Sequence, residues 1–114
     1  MRFTTALFPI FLTLAAARDH KSCACLSHTK GDNGYHYNRD LTKWTCLNDF
    51  GGKANFDSGS GQCITHSHQR FDGDRFERDC IQRGVVEGYY LYKPNGSVDK
   101  KSGPIRVGGA YSKC

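Results

Sequence analysis

The sequence lacks an apolar run long enough to cross a membrane. Its longest apolar stretch falls well short of the roughly 20 residues that a spanning helix needs, and Pro9 interrupts it. Common catalytic motifs are also missing, because there is no Gly-x-Ser-x-Gly, no His-Glu-x-x-His and no phosphate-binding glycine loop. Glutamate occurs only at Glu77 and Glu87, which leaves few carboxylates for a glycosidase pair. These absences argue against a membrane-spanning protein and favour a protein that is not an enzyme.

The first 17 residues have the pattern of a signal peptide. Met1-Arg2 gives a positive start, an apolar run extends from Ala6 to Leu14, and three alanines end at Ala17. Polar residues follow at once. We therefore expect cleavage after Ala17, with residues 18–114 forming a single mature domain that is secreted and extracellular.

The cysteines all lie beyond this leader, and their number is even. An even count in a short secreted chain predicts a disulfide framework. Thirteen glycines and few aliphatic residues leave a thin core, and each disulfide contributes roughly 2–4 kcal/mol to the stability of such a domain. We expect all six to be structural: Cys23, Cys25, Cys46, Cys63, Cys80 and Cys114.

The charge is positive but dispersed. Sixteen basic and eleven acidic residues give a formal net charge of +5, and removal of Arg2 with the leader lowers it to +4. Basic residues mostly alternate with acidic ones, and the longest basic run is Lys100-Lys101. This pattern favours a mixed solvated surface, so we expect no nucleic-acid partner.

Two segments are predicted to be helical. Leu41, Trp44 and Leu47 recur at threefold spacing after Asp40, which is a candidate N-cap. The second helix follows Asp74, with Glu77 placed as in a capping box. Glycines end both segments.

Strands are expected around these helices. Residues 53–56 and 62–65 flank a glycine-rich turn, as in a hairpin, and Cys23 and Cys25 share one face of a first strand. Further strands are expected over residues 85–93 and 104–111. The fold class is therefore α+β: a small disulfide-stabilised domain with two short helices and a small antiparallel sheet.

Six cysteines allow fifteen pairings, so the connectivity stays open. We expect either Cys23 or Cys25 to bond Cys114 and the other to bond Cys63. Cys46 would then join Cys80 between the helices.

The order of these motifs resembles a known class. Cys23-Ala24-Cys25, Thr42-x-x-x-Cys46, the lone Cys63 and Phe76-x-x-x-Cys80 are similar to small cysteine-rich secreted proteins of filamentous fungi. Many of these are candidate effectors of plant pathogens. The resemblance implies a non-enzymatic secreted effector that promotes infection or modulates plant immunity. It would bind a host extracellular protein or glycan in the apoplast, as a monomer and without a cofactor.

Two other functions are weighed against the effector. The net charge permits a secreted antimicrobial or antifungal protein, although no dense basic amphipathic stripe supports it. Tyr35-His36-Tyr37-Asn38 resembles the substrate loop of small fungal ribonucleases, and Glu87 and Arg106 occur in the right order. No histidine follows Arg106, however, which argues against the ribonuclease.

Three further features bear on possible sites. His66 and His68 would share one face of an extended segment, as a metal site needs, but no third ligand is evident, and we expect no metal. Asn95-Gly96-Ser97 is a glycosylation sequon in a predicted turn. The tyrosines are numerous for so thin a core and form either a binding patch for glycan or protein or part of the core, of which we expect the core.

Overall fold

A computed structural model describes residues 19–114, so the predicted signal peptide lies outside the described residues. The expected α+β class is confirmed. Helix α1 spans Arg39–Asp49 and α2 spans Gly73–Ile81. The strands are β1 (Asp19–His20), β2 (Ser22–His28), β3 (His36–Tyr37), β4 (Ala54–Asp57), β5 (Gln62–Thr65), β6 (Phe71–Asp72), β7 (Leu91–Tyr92), β8 (Val98–Asp99) and β9 (Gly109–Lys113).

Strand β2 is the centre of the main sheet. It pairs with β9 along one edge and with β5 and β3 along the other, and β4 lies beyond β5. All these pairings are antiparallel. The chain order β2-α1-β4-β5-α2-β9, combined with the sheet order β9-β2-β5-β4, is the split β-α-β arrangement. Both helices pack on one face of this sheet, and the other face carries no helix among the described residues.

Each helix begins two residues earlier than the sequence pattern predicts. The N-cap of α1 is Asn38, whose side-chain oxygen accepts a hydrogen bond from the Leu41 N–H at 2.9 Å. The N-cap of α2 is Asp72, which accepts from the Asp74 N–H at 3.0 Å. Both have extended backbone, as an N-cap requires. The prediction of Asp40 and Asp74 as N-caps is therefore wrong. The two residues lie in the first turns of α1 and α2.

The predicted disulfide pairing is correct for one bond and wrong for two. Cys23 bonds Cys114, as expected for one of the two amino-terminal cysteines. Cys25, however, bonds Cys80, and Cys46 bonds Cys63. The reason is geometric: each helix lies over the sheet, so its cysteine meets the strand beneath it and not the other helix. The described residues include no free cysteine.

The segment predicted to continue as a strand from Val85 is instead a π-helical turn, Gln82–Val86, which extends α2. Gly84 is buried in this turn, and a Cβ atom there would meet a Leu41 methyl at 2.8 Å and a Val107 methyl at 3.1 Å. The close approach of α1 to this turn therefore depends on glycine. A strand begins later, at Leu91, after a single bridge between Tyr89 and Ile105.

Three phenylalanines form the centre of the core between the helices. Phe76 is fully buried, Phe71 is 1% exposed and Phe50 is 4% exposed. Phe50 and Phe76 stack with ring centroids 5.1 Å apart, and Phe71 meets both rings edge-on. Such pairs contribute about 0.5–1.5 kcal/mol beyond their burial. Aromatic rings and sulfur thus compensate for the scarcity of aliphatic residues.

A bidentate ion pair ties the two helical segments together. Arg83 donates from Nη2 to Asp49 Oδ1 at 2.7 Å and from Nε to Oδ2 at 3.0 Å. It also donates to Glu87 at 3.0 Å. The bond to Asp49 raises the pKa of Arg83. This network orients the π-helical turn against the end of α1.

The side chain of Asp79 destabilises the folded protein when it is charged. Replacing Asp79 by asparagine tests this effect. Burial, and then the charge of Asp49, raise the pKa of Asp79, although Arg75 at 3.8 Å opposes the shift. Because the pKa of Asp79 is higher in the folded state than in the unfolded state, its charged form lowers the free energy of unfolding. This loss is complete at a pH above the folded-state pKa and absent at a pH below the unfolded-state pKa. We expect Asp79→Asn to raise the free energy of unfolding by about 0.5 kcal/mol at pH 7. The gain should vanish as the pH falls toward 3, as urea titrations would show.

Asp49→Asn is the matched control, since it removes the same charge but replaces the bidentate ion pair with Arg83 by at most one neutral hydrogen bond. It should destabilise the protein at pH 7 by about 1 kcal/mol. A gain from Asp79→Asn that persists unchanged at low pH would contradict the assigned cause.

Candidate functional site

The face of the sheet opposite the helices is the most distinctive surface of the protein. Cys25 and Cys63 point toward the helices, where they form disulfides with Cys80 and Cys46. Side chains alternate along a strand, so the neighbours of these cysteines point the other way. We call this surface the open face. It is formed by Ser22, Ala24 and Leu26 of β2, Gln62 and Ile64 of β5, and Tyr111 and Lys113 of β9, with Tyr37 of β3 at its edge.

One row of the open face places two tyrosines on either side of a leucine. Leu26 is registered opposite Tyr37 on β3 and opposite Tyr111 on β9. Neighbouring strands lie about 4.8 Å apart, so the two tyrosine positions are separated by roughly 10 Å. Tyr37 is 46% exposed and Tyr111 is 40% exposed. Two large rings are therefore presented to solvent at the same level of the sheet.

A third tyrosine supports this row. Tyr35, which is 43% exposed, meets Tyr111 edge-on with centroids 4.9 Å apart. It also packs against the ring of His28 at 5.3 Å. Tyr35 lies so close over Gly109 that a side chain there would collide with the ring. The exposed rings are thus held by contacts with one another and with the backbone of β9.

The hydroxyl of Tyr37 is anchored as well. It donates a hydrogen bond to the carbonyl oxygen of Gly61, in the turn between β4 and β5. Burial raises the pKa of this hydroxyl, so it stays protonated and remains a donor at neutral pH. The ring is therefore fixed in orientation although nearly half of it is exposed.

A groove of about 390 Å³ runs along the open face, and we call it the tyrosine groove. This volume is within the range of roughly 300–1,000 Å³ that is typical of ligand sites. Its lining combines apolar, hydroxyl and amide groups with one cation: Ser22, Ala24, Leu26, Tyr37, Gln62 and Lys113.

A second concavity of about 380 Å³ adjoins the groove and is rich in basic side chains; we call it the basic pocket. Ser22, which lines the groove, is registered opposite Ile64, which lines the pocket. The two sites therefore meet at this pair of residues. The lining of the pocket includes Lys21, Ile64, Thr65, His66, His68 and Arg70.

The two histidines do not form the extended pair that the sequence suggests. Strand β5 ends at Thr65, and His68 has a positive φ of 67°, so the chain turns between His66 and His68. Among residues 19–114 no group of three or more potential ligands could hold a metal ion. Both histidines are exposed in the basic pocket.

The candidate ribonuclease residues have separate structural roles. Asn38 is the cap of α1 and also donates to Ser27 at 2.9 Å. Glu87 accepts hydrogen bonds from Gln82 and Arg83, while Arg106 donates to the carbonyl of Val86 at 3.2 Å. Each group thus has a partner that explains its position without catalysis.

The remaining tyrosines divide between core and surface. Tyr89 is 6% exposed and belongs to the core. Tyr90 and Tyr92 lie on the other face of their segment, as their alternation predicts, and both pack against Trp44. Asn95 is exposed in the turn between β7 and β8, where its side chain accepts from the Ser97 N–H at 3.0 Å. Glycosylation of Asn95 stays a prediction.

Sequence reasoning did not single out the tyrosine groove. Tyr37, Gln62 and Lys113 come from three distant segments, and only strand pairing brings them together. The one available signal was the surplus of tyrosines over what so thin a core can hold.

Comparison with known proteins assigns a family to most of the domain. A family model described as "Family of unknown function (DUF5948)" matches residues 20–89, which include β2, both helices and the β4–β5 hairpin. No curated protein matches the chain, and no solved structure matches it. Within residues 19–114, no helix has the length and apolar character needed to cross a bilayer.

Proposed function

The chain belongs to the DUF5948 family, whose function is unknown, and we propose from its own residues that it is a secreted, non-enzymatic effector. In this proposal it acts outside the producing cell, at the infection interface, and binds a host extracellular component through the open face. The producer would be a filamentous fungus, as the cysteine pattern implies. The protein would promote infection or modulate host immunity by this binding.

The observation that carries the proposal is the exposure of Tyr35, Tyr37 and Tyr111 on the open face. Tyrosine is enriched at binding surfaces because it offers a large contact area with little loss of conformational entropy. Rings that are 40–46% exposed leave apolar area in water, and a ligand that covers them recovers that free energy. The Tyr37 hydroxyl is bonded to Gly61, and Tyr35 and Tyr111 pack against each other, so little ordering of these rings accompanies binding.

An affinity experiment with apoplastic fluid from host plants tests this function. The oxidised protein, coupled to beads, should retain a component that a Tyr37→Ala/Tyr111→Ala variant does not retain. Tyr90→Ala/Tyr92→Ala is the matched control, because it also removes two partly exposed rings but leaves the open face intact. Equal retention by both variants, or none by the unmodified protein, would contradict the proposal.

A further inference from the structure

We infer that the ligand of the open face is an oligosaccharide that carries carboxylate groups. The inference rests on the proposed function, since it names the chemical class of the component that the same face binds. Its main support is that two sites of different chemistry adjoin each other. The tyrosine groove is aromatic and nearly neutral, and the neighbouring pocket is basic.

The tyrosine groove suits the body of a sugar chain. A sugar ring has apolar C–H faces and a rim of hydroxyl groups, so it packs flat against an aromatic ring and needs neutral polar partners at its edges. Tyr37 lines the groove, and Tyr111, which lies outside its lining, provides a second ring on the other side of Leu26. Ser22 and Gln62 provide hydroxyl and amide groups that donate and accept hydrogen bonds. A ligand bound in this part of the open face would therefore displace water from few charged groups.

The basic pocket suits the acidic groups of such a chain. Lys21 and Arg70 are exposed at its lining, and Lys113 lies in the groove. Guanidinium and ammonium groups form charge-assisted hydrogen bonds with carboxylates, and arginine does so with two parallel bonds. Arg70 already donates to the carbonyl of Gln69 at 2.7 Å, but a neutral oligosaccharide would offer no carboxylate to Lys21 or Arg70.

One carboxylate of the protein restricts where the acidic group of the ligand lies. Asp57 is registered opposite Gln62, and hydrogen bonds from Ser60 lower its pKa, so it is negatively charged at neutral pH. It repels an anion at that end of the groove. The acidic group of the ligand is therefore placed toward Lys21 and Arg70.

The dimensions of the face fit a ligand of several sugar rings. From Ser22 to Leu26, which both lie on the open face, the chain advances four residues, or roughly 14 Å at the rise of an antiparallel strand. The basic pocket extends this surface beyond Ser22. A nucleic acid, by contrast, carries a phosphate on every nucleotide and needs cations along its whole path. The stretch that contains Ala24 and Leu26 offers a single cation, Lys113, which is registered opposite Ala24.

The test compares two polymers that differ only in charge. The acidic polymer is polygalacturonate in which only some of the rings keep a free carboxylate and the others are methyl-esterified. The fully methyl-esterified form has the same backbone without the charge. With the oxidised protein, expressed from the full-length chain in a secreting host, calorimetry should show binding of polygalacturonate that is at least about tenfold tighter than binding of the ester. Added salt should weaken the acidic interaction only.

Substitutions in the basic pocket and on the open face test which part of the ligand each site binds. Lys21→Ala/Arg70→Ala should weaken binding of polygalacturonate about tenfold and leave the ester unaffected. Lys100→Ala/Lys101→Ala is the control, because it removes the same net charge from exposed residues outside both sites. Tyr111→Ala should weaken binding of both polymers. Unchanged thermal melting of each variant shows that the fold is retained, and the comparison of polymers needs no variant at all.

The outcomes separate this inference from the proposed function. Retention of a host component through Tyr37 and Tyr111, without binding of either polymer, would overturn the carboxylate ligand and leave the binding function in place. Equal affinity for the two polymers would also overturn the inferred carboxylate ligand. Tighter binding of polyuridylate RNA than of polygalacturonate would overturn it as well. Failure of both experiments would remove the effector proposal as well.

Discussion

Replacement of Cys25 and Cys80 by alanine is expected to lower the free energy of unfolding by about 4 kcal/mol. The two residues are 55 apart in sequence, and closing a loop of that length restricts the unfolded chain strongly. Both cysteines are fully buried, so the replacement also removes sulfur from the core. Since small domains have a total stability of only about 5–15 kcal/mol, this variant should be close to unfolding at 37 °C.

The Cys46–Cys63 disulfide provides the comparison. Its partners are equally buried but only 17 residues apart, for which the same relation predicts a loss of about 3 kcal/mol. Urea denaturation of both double variants measures the difference. A smaller loss for Cys25→Ala/Cys80→Ala than for Cys46→Ala/Cys63→Ala would mean that loop length does not set the contribution.

Phe76→Ala is expected to have a second large effect, a loss of about 3–5 kcal/mol. The ring is fully buried and lies between Phe50 and Phe71, with both centroids 5.1 Å away. Its removal takes away buried area and leaves a cavity that neighbouring rings cannot fill, because the Cys25–Cys80 disulfide holds α2 in place. Thermal melting should shift by well over 10 °C for a domain of this size.

Val86→Ala serves as the control for this loss. Val86 lies in the π-helical turn that follows α2 and is 56% exposed, so its truncation should change the stability by less than about 0.5 kcal/mol. Comparable losses for the two variants would show that Phe76 is not at the centre of the core.

The sequence pattern predicts helices and strands that are determined by residues close together in the chain. The threefold spacing of Leu41 and Trp44 indicates α1, and the glycine-rich turn indicates the β4–β5 hairpin. The ends of the helices are harder to predict, because Asn38 and Asp72 compete with equally good capping residues two positions later. Only the backbone conformation at Asn38 and Asp72 decides between them.

Features that depend on distant contacts could not be predicted in this way. Val85 and Val86 favour a strand by their side chains, but the burial of Gly84 against Leu41 holds them in a helical turn. The disulfide partners of Cys46 and Cys80 follow from which strand lies under each helix. The tyrosine groove has the same origin, because it exists only where β2, β3, β5 and β9 meet.

The contact between Glu77 and Ser112 has a consequence for self-association. Among the strands of residues 19–114, β9 pairs only with β2, so its outer backbone groups face away from the sheet. The carboxylate of Glu77, on α2, accepts a hydrogen bond from one of them, the Ser112 N–H, at 3.3 Å. An incoming strand from a second molecule finds this donor already occupied and meets a negative charge beside it. Concentrated preparations should therefore resist strand-by-strand polymerisation along this border.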